Sequence, residues 1–380
     1  MSREVGLNVL AGRARGERIP VMEHLWGLAR EAILHFSGID PVREPQRVNE
    51  AFKQLAETFE VDLVWGGGLP EPDKDEIYDW SDGRTVRSNH QGHPVVQWGV
   101  FGATHQEDGR HLVQVPKPAS VNDALAFEPL QYFPETVDQY AERFSRQYQR
   151  MLASCGTTCQ PVPHHYTTAF HWPLAIFGFE LLCEAGMVED RFARLMKRFA
   201  EISRRITLAW ARVPGLAGFI LHDDLTMTSG PIFPPAWYRR HIFSHYPAIF
   251  EPLKRANIPI IFTSDGDCSC FVDDIFAAGA DGLNFEYMVD MNRLVCDYPD
   301  RILIGNMNSG VLATGPKEAI TQEVRRCLET GARAPRFVLN VGGQLTHDIP
   351  IEHLEHYLSI RCTLSRELAD LRLAESRNRT

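Results

Sequence analysis

Along the second half of the chain, short apolar runs alternate with longer amphipathic segments. The runs at 216–221, 258–262, 282–285, 301–304 and 336–339 each end in a polar or glycine-rich stop. Apolar runs this short suit strands buried on both faces, and five in succession predict a parallel sheet covered by helices. Between them, Phe192, Leu195, Met196, Phe199, Ile202 and Ile206 recur at helical steps, while Arg191, Arg194, Lys197, Arg198 and Arg205 fall mostly elsewhere. That pattern predicts a helix with one face on the sheet and a basic face in solvent. Pro316 and Glu318 open a second helix with Ile320, Val324 and Leu328 facing inward, and Pro247 divides 236–257 into two short helices.

Upstream, 19–22, 61–65 and 159–162 are three weaker strand candidates, which bring the total to the number that closes a parallel barrel. The predicted fold class is therefore α/β, a (β/α)8 TIM barrel with an N-terminal helical extension. Residues 1–18 form a lead-in, 19–372 a single barrel domain and 373–380 a tail. An insertion at about 70–134 separates strands two and three; within it, 95–98 and 111–115 are expected to pair as a hairpin near the barrel mouth. A doubly wound open sheet is the alternative arrangement.

Composition narrows the class without naming an activity. The 380 residues are 44% hydrophobic and 23% charged, as in an ordinary globular chain rather than a disordered or fibrous one. Acidic residues outnumber basic ones, 49 to 39, and the net charge of −10 argues against nucleic acid as a partner. No run approaches the roughly 18 apolar residues of a membrane span, and the opening residues lack a secretion pattern, so a cytoplasmic protein with no membrane partner is expected. The eight cysteines are too scattered for a disulfide framework and are expected to be reduced.

In a barrel of this kind the working groups lie where strands end and the following loops begin. The polar residues at those points are Glu23 and His24, Gly66 to Gly68, His164 and His165, His222 with Asp223 and Asp224, Ser264 to Asp267, Glu286, Asn306 and Asn308, and Gly342, Gly343, His347 and Asp348. His222 is the favoured acid/base group, because imidazole titrates near neutrality and a neighbouring carboxylate raises its pKa. Neighbours on a strand face opposite ways, so His222 and Asp223 are not both expected to point inward unless the strand has ended.

The blocks His222 through Pro235, Ser264 through Asp267, Ala278 through Glu286, and Gly305-Asn306 through Gly315-Pro316 resemble successive blocks of the uroporphyrinogen decarboxylase superfamily. Asp348-Ile349-Pro350 resembles its closing block. The resemblance covers roughly 216–360 well and the first half loosely. It implies a (β/α)8 barrel that either decarboxylates a tetrapyrrole or moves methyl groups to or from a corrinoid protein or a thiol. Two departures mark an atypical member. The Arg-rich motif that follows the first strand in true uroporphyrinogen decarboxylases is replaced here by 20–26, which carries Glu23. The zinc-binding His-x-Cys and final Cys of the methyltransferase relatives are replaced by Thr263-Ser264-Asp265 and Gly342-Gly343.

Asp265, Glu286 and His347 remain as a tentative metal set of harder donors, zinc being one candidate; the alternative is that they hydrogen-bond the substrate. Cys268 and Cys270 are either displaced zinc ligands or, more simply, the start of a helix that continues with Phe271 and Ile275. Cys155 and Cys159 are read as structural. The expected catalytic residues are His222, Asp224, Asp265, Glu286 and His347, with Glu23, His24, His164, His165, His171, Asn306 and Asn308 around the substrate. The leading expectation is a methyltransferase that passes a methyl group from a small, aromatic or methoxylated donor to a corrinoid (cobalamin) carried by a separate partner protein. A cofactor-free decarboxylase of a small acid and a non-catalytic binding barrel are the alternatives, and a homodimer is an expected assembly.

Overall fold

The computed structural model describes residues 2–13, 18–67 and 118–369, with the backbone of three short strands between 77 and 95. Among the described residues, the barrel strands are β1 (Met22–Glu23), β2 (Leu63–Trp65), β3 (Gln160–Val162, continued past Pro163 by His164–His165), β4 (Phe219–His222), β5 (Ile260–Thr263), β6 (Gly282–Asn284), β7 (Ile302–Met307) and β8 (Phe337–Val341). Each pairs in parallel with the next. A parallel bridge from Val21 to Leu339 and the bond from Leu339 N–H to the Pro20 carbonyl (2.8 Å) bring the last strand back to the first. The sheet closes, so the doubly wound alternative falls.

Inward side chains form one apolar cluster: Met22, Leu63, Trp65, Val162, Ile220, Ile261, Ile302, Ile304 and Val338, joined by Val9 and Leu10. The last two come from the N-terminal helix Ser2–Leu10, which closes the base of the barrel. Gly6 is needed there, because a Cβ would lie 2.5 Å from the Asp62 carbonyl. Arg336 donates to the carbonyls of Val9 (3.1 Å) and Leu10 (2.8 Å), satisfying the helix's last turn. A larger apolar layer lies between strands and outer helices.

Helix Glu189–Trp210 buries Phe192, Leu195, Met196, Phe199, Ile202 and Ile206, as the periodicity predicts. Helix Lys317–Gly331 follows Pro316 and buries Ile320, Val324 and Leu328. The segment around Pro247 breaks two residues earlier than proline alone suggests. A short helix Pro235–Tyr238 runs into a π-turn (Arg239–Phe243), and Pro247 sits in the first turn of Tyr246–Arg255, where its missing N–H has no partner to lose.

Within the segment read as an insertion, Ile77–Asp79, Val86–Ser88 and Pro94–Val95 pair as an antiparallel meander. The expected partner stretch 111–115 lies outside the described residues. Helix 121–125 and the long helix Val137–Cys155 then lead into β3. All eight cysteines are free thiols, and no described helix is long and apolar enough to cross a membrane. Gly331 is packed so closely that an added Cβ would meet the Phe337 ring at 2.1 Å. Gly331→Ala is therefore expected to destabilise the protein by about 1–3 kcal/mol through overpacking, measured by denaturant unfolding.

Candidate active site

The end of β4 resolves the ambiguity between His222 and Asp223. Ile220 belongs to the inner cluster, so His222, two residues on, also points into the barrel. Asp223 points outward and is buried. Its carboxylate accepts the backbone N–H groups of Ala169 (2.8 Å), Phe170 (2.8 Å) and His171 (2.7 Å), and the Tyr246 hydroxyl (2.8 Å). It therefore fixes the loop that follows β3. Asp224 lies beyond the strand end and turns back over the mouth.

There, His222 Nε2 lies 2.7 Å from Asp224 Oδ1 and 4.0 Å from Asp265 Oδ1. Asp224 Oδ1 also accepts the Asp265 backbone N–H (3.2 Å), and its Oδ2 lies 3.5 Å from His171 Nδ1. Burial alone would lower the His222 pKa, but Asp224, with Asp265 and Asp223 behind it, raises it to about 9. Burial works against Asp224 too, yet the His222 partner holds its carboxyl well below the usual range. Asp265 keeps half its side-chain surface open (50%) but sits down in the mouth, where burial, opposed by His222 and reinforced by Asp224 and Glu286, raises its pKa. The cluster is thus a charged imidazolium on an ionised carboxylate, with a second, weaker acid beside it.

Aromatic rings surround it. The Tyr166 ring centroid is 4.1 Å from that of His222, and Trp65 is 5.6 Å from His222, 5.3 Å from His164 and 4.8 Å from His24. Burial, with the repulsion of His222, lowers His24 to about 4 and His164 to about 3, so both are neutral near pH 7. His171 is also lowered, to about 4, by burial against the pull of Asp224. Trp65 was not singled out by sequence, although its period-two step from Leu63 is a usable signal.

Several expected site residues lie elsewhere. Glu23 points outward from β1 and is buried against the last helix, Ile351–Glu367, where it accepts the Tyr357 hydroxyl (2.6 Å); burial raises its pKa to about 7. His165 also points outward, with Nε2 3.1 Å from Ser203 Oγ. Asn306 turns away from the mouth: its amide donates to the Val289 carbonyl (3.2 Å), and its oxygen accepts from Arg326 (3.1 Å). Asn308 caps the helix Ser309–Thr314 by accepting the Gly310 N–H (2.9 Å). Glu23 and His165 follow strand alternation outward and Asn308 is spent on a helix terminus, whereas Asn306, two positions beyond the inward-facing Ile304, departs from that alternation and bonds Arg326 in the helix layer.

Glu286 accepts the Gly266 N–H (3.0 Å), which holds the loop bearing Asp265. His347 is exposed on the loop after β8. Among the described residues, the donor atoms that come within 4.8 Å of one another are those of His222, Asp224 and Asp265, so the expected trio Asp265, Glu286 and His347 is not the group assembled there. The assembled trio fits the zinc chemistry of the resemblance poorly. It has no thiolate, and His222 Nε2 is already held by Asp224. His222 Nδ1 has no hydrogen-bond partner among the described residues, whereas a metal-binding imidazole normally donates its second nitrogen to an acceptor. Cys268 is buried and Cys270 exposed at the start of the turn Ser269–Phe271 that leads into helix Val272–Ala278.

A closed parallel barrel with an imidazole–carboxylate cluster at its C-terminal mouth has polar groups where barrel enzymes of this fold place their active sites. Residues 185–362 match the family model Uroporphyrinogen decarboxylase (URO-D). The chain is 26% identical over 140 residues to uroporphyrinogen decarboxylase of Geotalea uraniireducens, covering 37% of this chain and 41% of that one. It is 28% identical over 181 residues to that of Pelobacter propionicus, covering 47% and 50%. The matches therefore span half or less of these curated relatives. A solved methyltransferase from Methanosarcina mazei superposes with a TM-score of 0.62 at 16% identity, covering 95% of this chain and 98% of that one, a likeness of fold. These findings support the superfamily resemblance over the second half of the chain.

Proposed function

We propose that the protein is a methyltransferase that takes a methyl group from a small, largely apolar aryl methyl ether and passes it to a corrinoid on a separate partner protein in the cytoplasm. The observation that carries this reading is the buried His222 with Nε2 2.7 Å from Asp224, a pairing that favours its imidazolium form, while its Nδ1 meets no acceptor among the described residues. An ether oxygen is a poor leaving group until protonated. With the ether oxygen at Nδ1, the methyl–oxygen bond breaks as the oxygen takes the His222 proton and leaves as a neutral phenol. Asp224 stays ionised throughout and steadies the imidazole. Trp65 and Tyr166 supply the ring contacts expected of a pocket for a flat donor. The corrinoid partner is drawn from the resemblance and supplies the nucleophile that accepts the methyl group; the likeness to a solved methyltransferase supports this only at the level of fold.

Incubation with a methoxylated phenol and a reduced corrinoid protein is expected to release the free phenol and give the absorbance of methylated cobalt, one for one. A second reading, decarboxylation of a small acid, is favoured by the raised pKa of Asp265 next to the imidazolium, since a carbanion needs a proton donor. Release of carbon dioxide from an aryl carboxylic acid, without methyl transfer, would establish that reading and overturn the first.

A further inference from the structure

His164 Nδ1, His222 Nδ1 and Thr263 Oγ1 are buried and have no hydrogen-bond partner among the described residues. They come from three consecutive strands. Val162, Ile220 and Ile261, two positions earlier on β3, β4 and β5, all belong to the inner cluster, so the three polar residues occupy the inner face just above it. Thr263 is paired in register with His222, and His164 with Ile220 one step below. His222 and Thr263 retain only 3% and 4% of their surface. A buried polar atom without a partner is unfavourable by itself, and three that share one inward-facing patch beside His222 call for a common reason.

We propose that His164, His222 and Thr263 form a three-point polar tier that reads the substrate's oxygens, and that the preferred ligand is a neutral aromatic ring carrying two oxygens on adjacent carbons. One oxygen accepts from His222 Nδ1–H. The second is a hydroxyl shared by Thr263 Oγ1 and His164 Nδ1, groups that can donate or accept. The ring lies against Trp65, whose centroid is 5.3 Å from His164 and 5.6 Å from His222. Charge selects a neutral ligand. The imidazolium is already matched by Asp224; an added anion would face Asp224 and Asp265, and an added cation would face His222. This rests on the mouth being the substrate site, as in the proposed function, but not on methyl transfer.

The test is calorimetric binding to the full chain without any acceptor protein, using 2-methoxyphenol, catechol, methoxybenzene, benzoate and phenyltrimethylammonium. 2-Methoxyphenol and catechol are expected to bind about tenfold more tightly than methoxybenzene, and the two ions more weakly still. Thr263→Val is expected to remove that tenfold advantage while leaving methoxybenzene binding unchanged. Because the hydroxyl has no partner among the described residues, the same variant should melt at the wild-type temperature or above it. His164→Phe should narrow the same gap. Equal affinities for 2-methoxyphenol and methoxybenzene, preference for either ion, or a Thr263→Val protein that loses stability and keeps its selectivity would overturn the tier. Selective binding of catechol and 2-methoxyphenol without methyl transfer would leave the tier standing and defeat the proposed activity instead.

Discussion

His222→Gln is expected to lower turnover by about a hundred- to ten-thousandfold, the usual loss when a positioned acid is removed, with a smaller change in substrate affinity. Glutamine keeps a polar side chain of similar reach but cannot deliver a proton at neutral pH. The wild-type pH profile should be flat through neutrality and fall as pH rises through about 9, where the imidazolium loses its proton. The sign follows from the raised pKa. Below the ordinary histidine value the group is protonated in both folded and unfolded chains, and its pairing with Asp224 contributes full stability; that contribution is lost as pH climbs through about 9. Asp224→Asn should move the alkaline limb downward, because burial then acts on His222 with its strongest opposing charge gone. A limb that stays near 9 in Asp224→Asn would show that another group carries the proton.

Asp223→Ala is expected to destabilise the protein by about 3–5 kcal/mol, measured by denaturant unfolding. The substitution strands three backbone N–H groups and the Tyr246 hydroxyl, all buried, which together hold the start of helix His171–Phe177 against β4. Asp223→Asn keeps one acceptor oxygen and should fall between alanine and wild type. Since the same clamp positions His171 near Asp224, both variants should also reduce activity in protein that remains folded. A wild-type unfolding midpoint for Asp223→Ala would show that the loop is held by other contacts.

Much of the barrel was legible because its signals are local. Short apolar runs, helix faces at three- and four-residue steps, and proline at helix starts depend on neighbours within a few positions. Hence Phe192 to Ile206, Ile320 to Leu328 and the strand positions emerge with small shifts at their ends. The site was legible only as a set of strand ends. Glu23, His165 and Asn306 stand at the right heights on their strands but point outward, and Asn308 spends its side chain on a helix terminus.

By itself the sequence determined the architecture, the superfamily likeness and the choice of His222 and Asp224 as chemically capable groups, since periodicity and residue type suffice for these. Only the tertiary structure decided which polar residues meet. Closing the cylinder sets an absolute inward or outward sense for each strand, and a change of one residue in that sense carries a side chain from the mouth to the helix layer. That is why His222, Asp224 and Asp265 converge while Glu286 supports the loop beside them and His347 stays on the exposed rim.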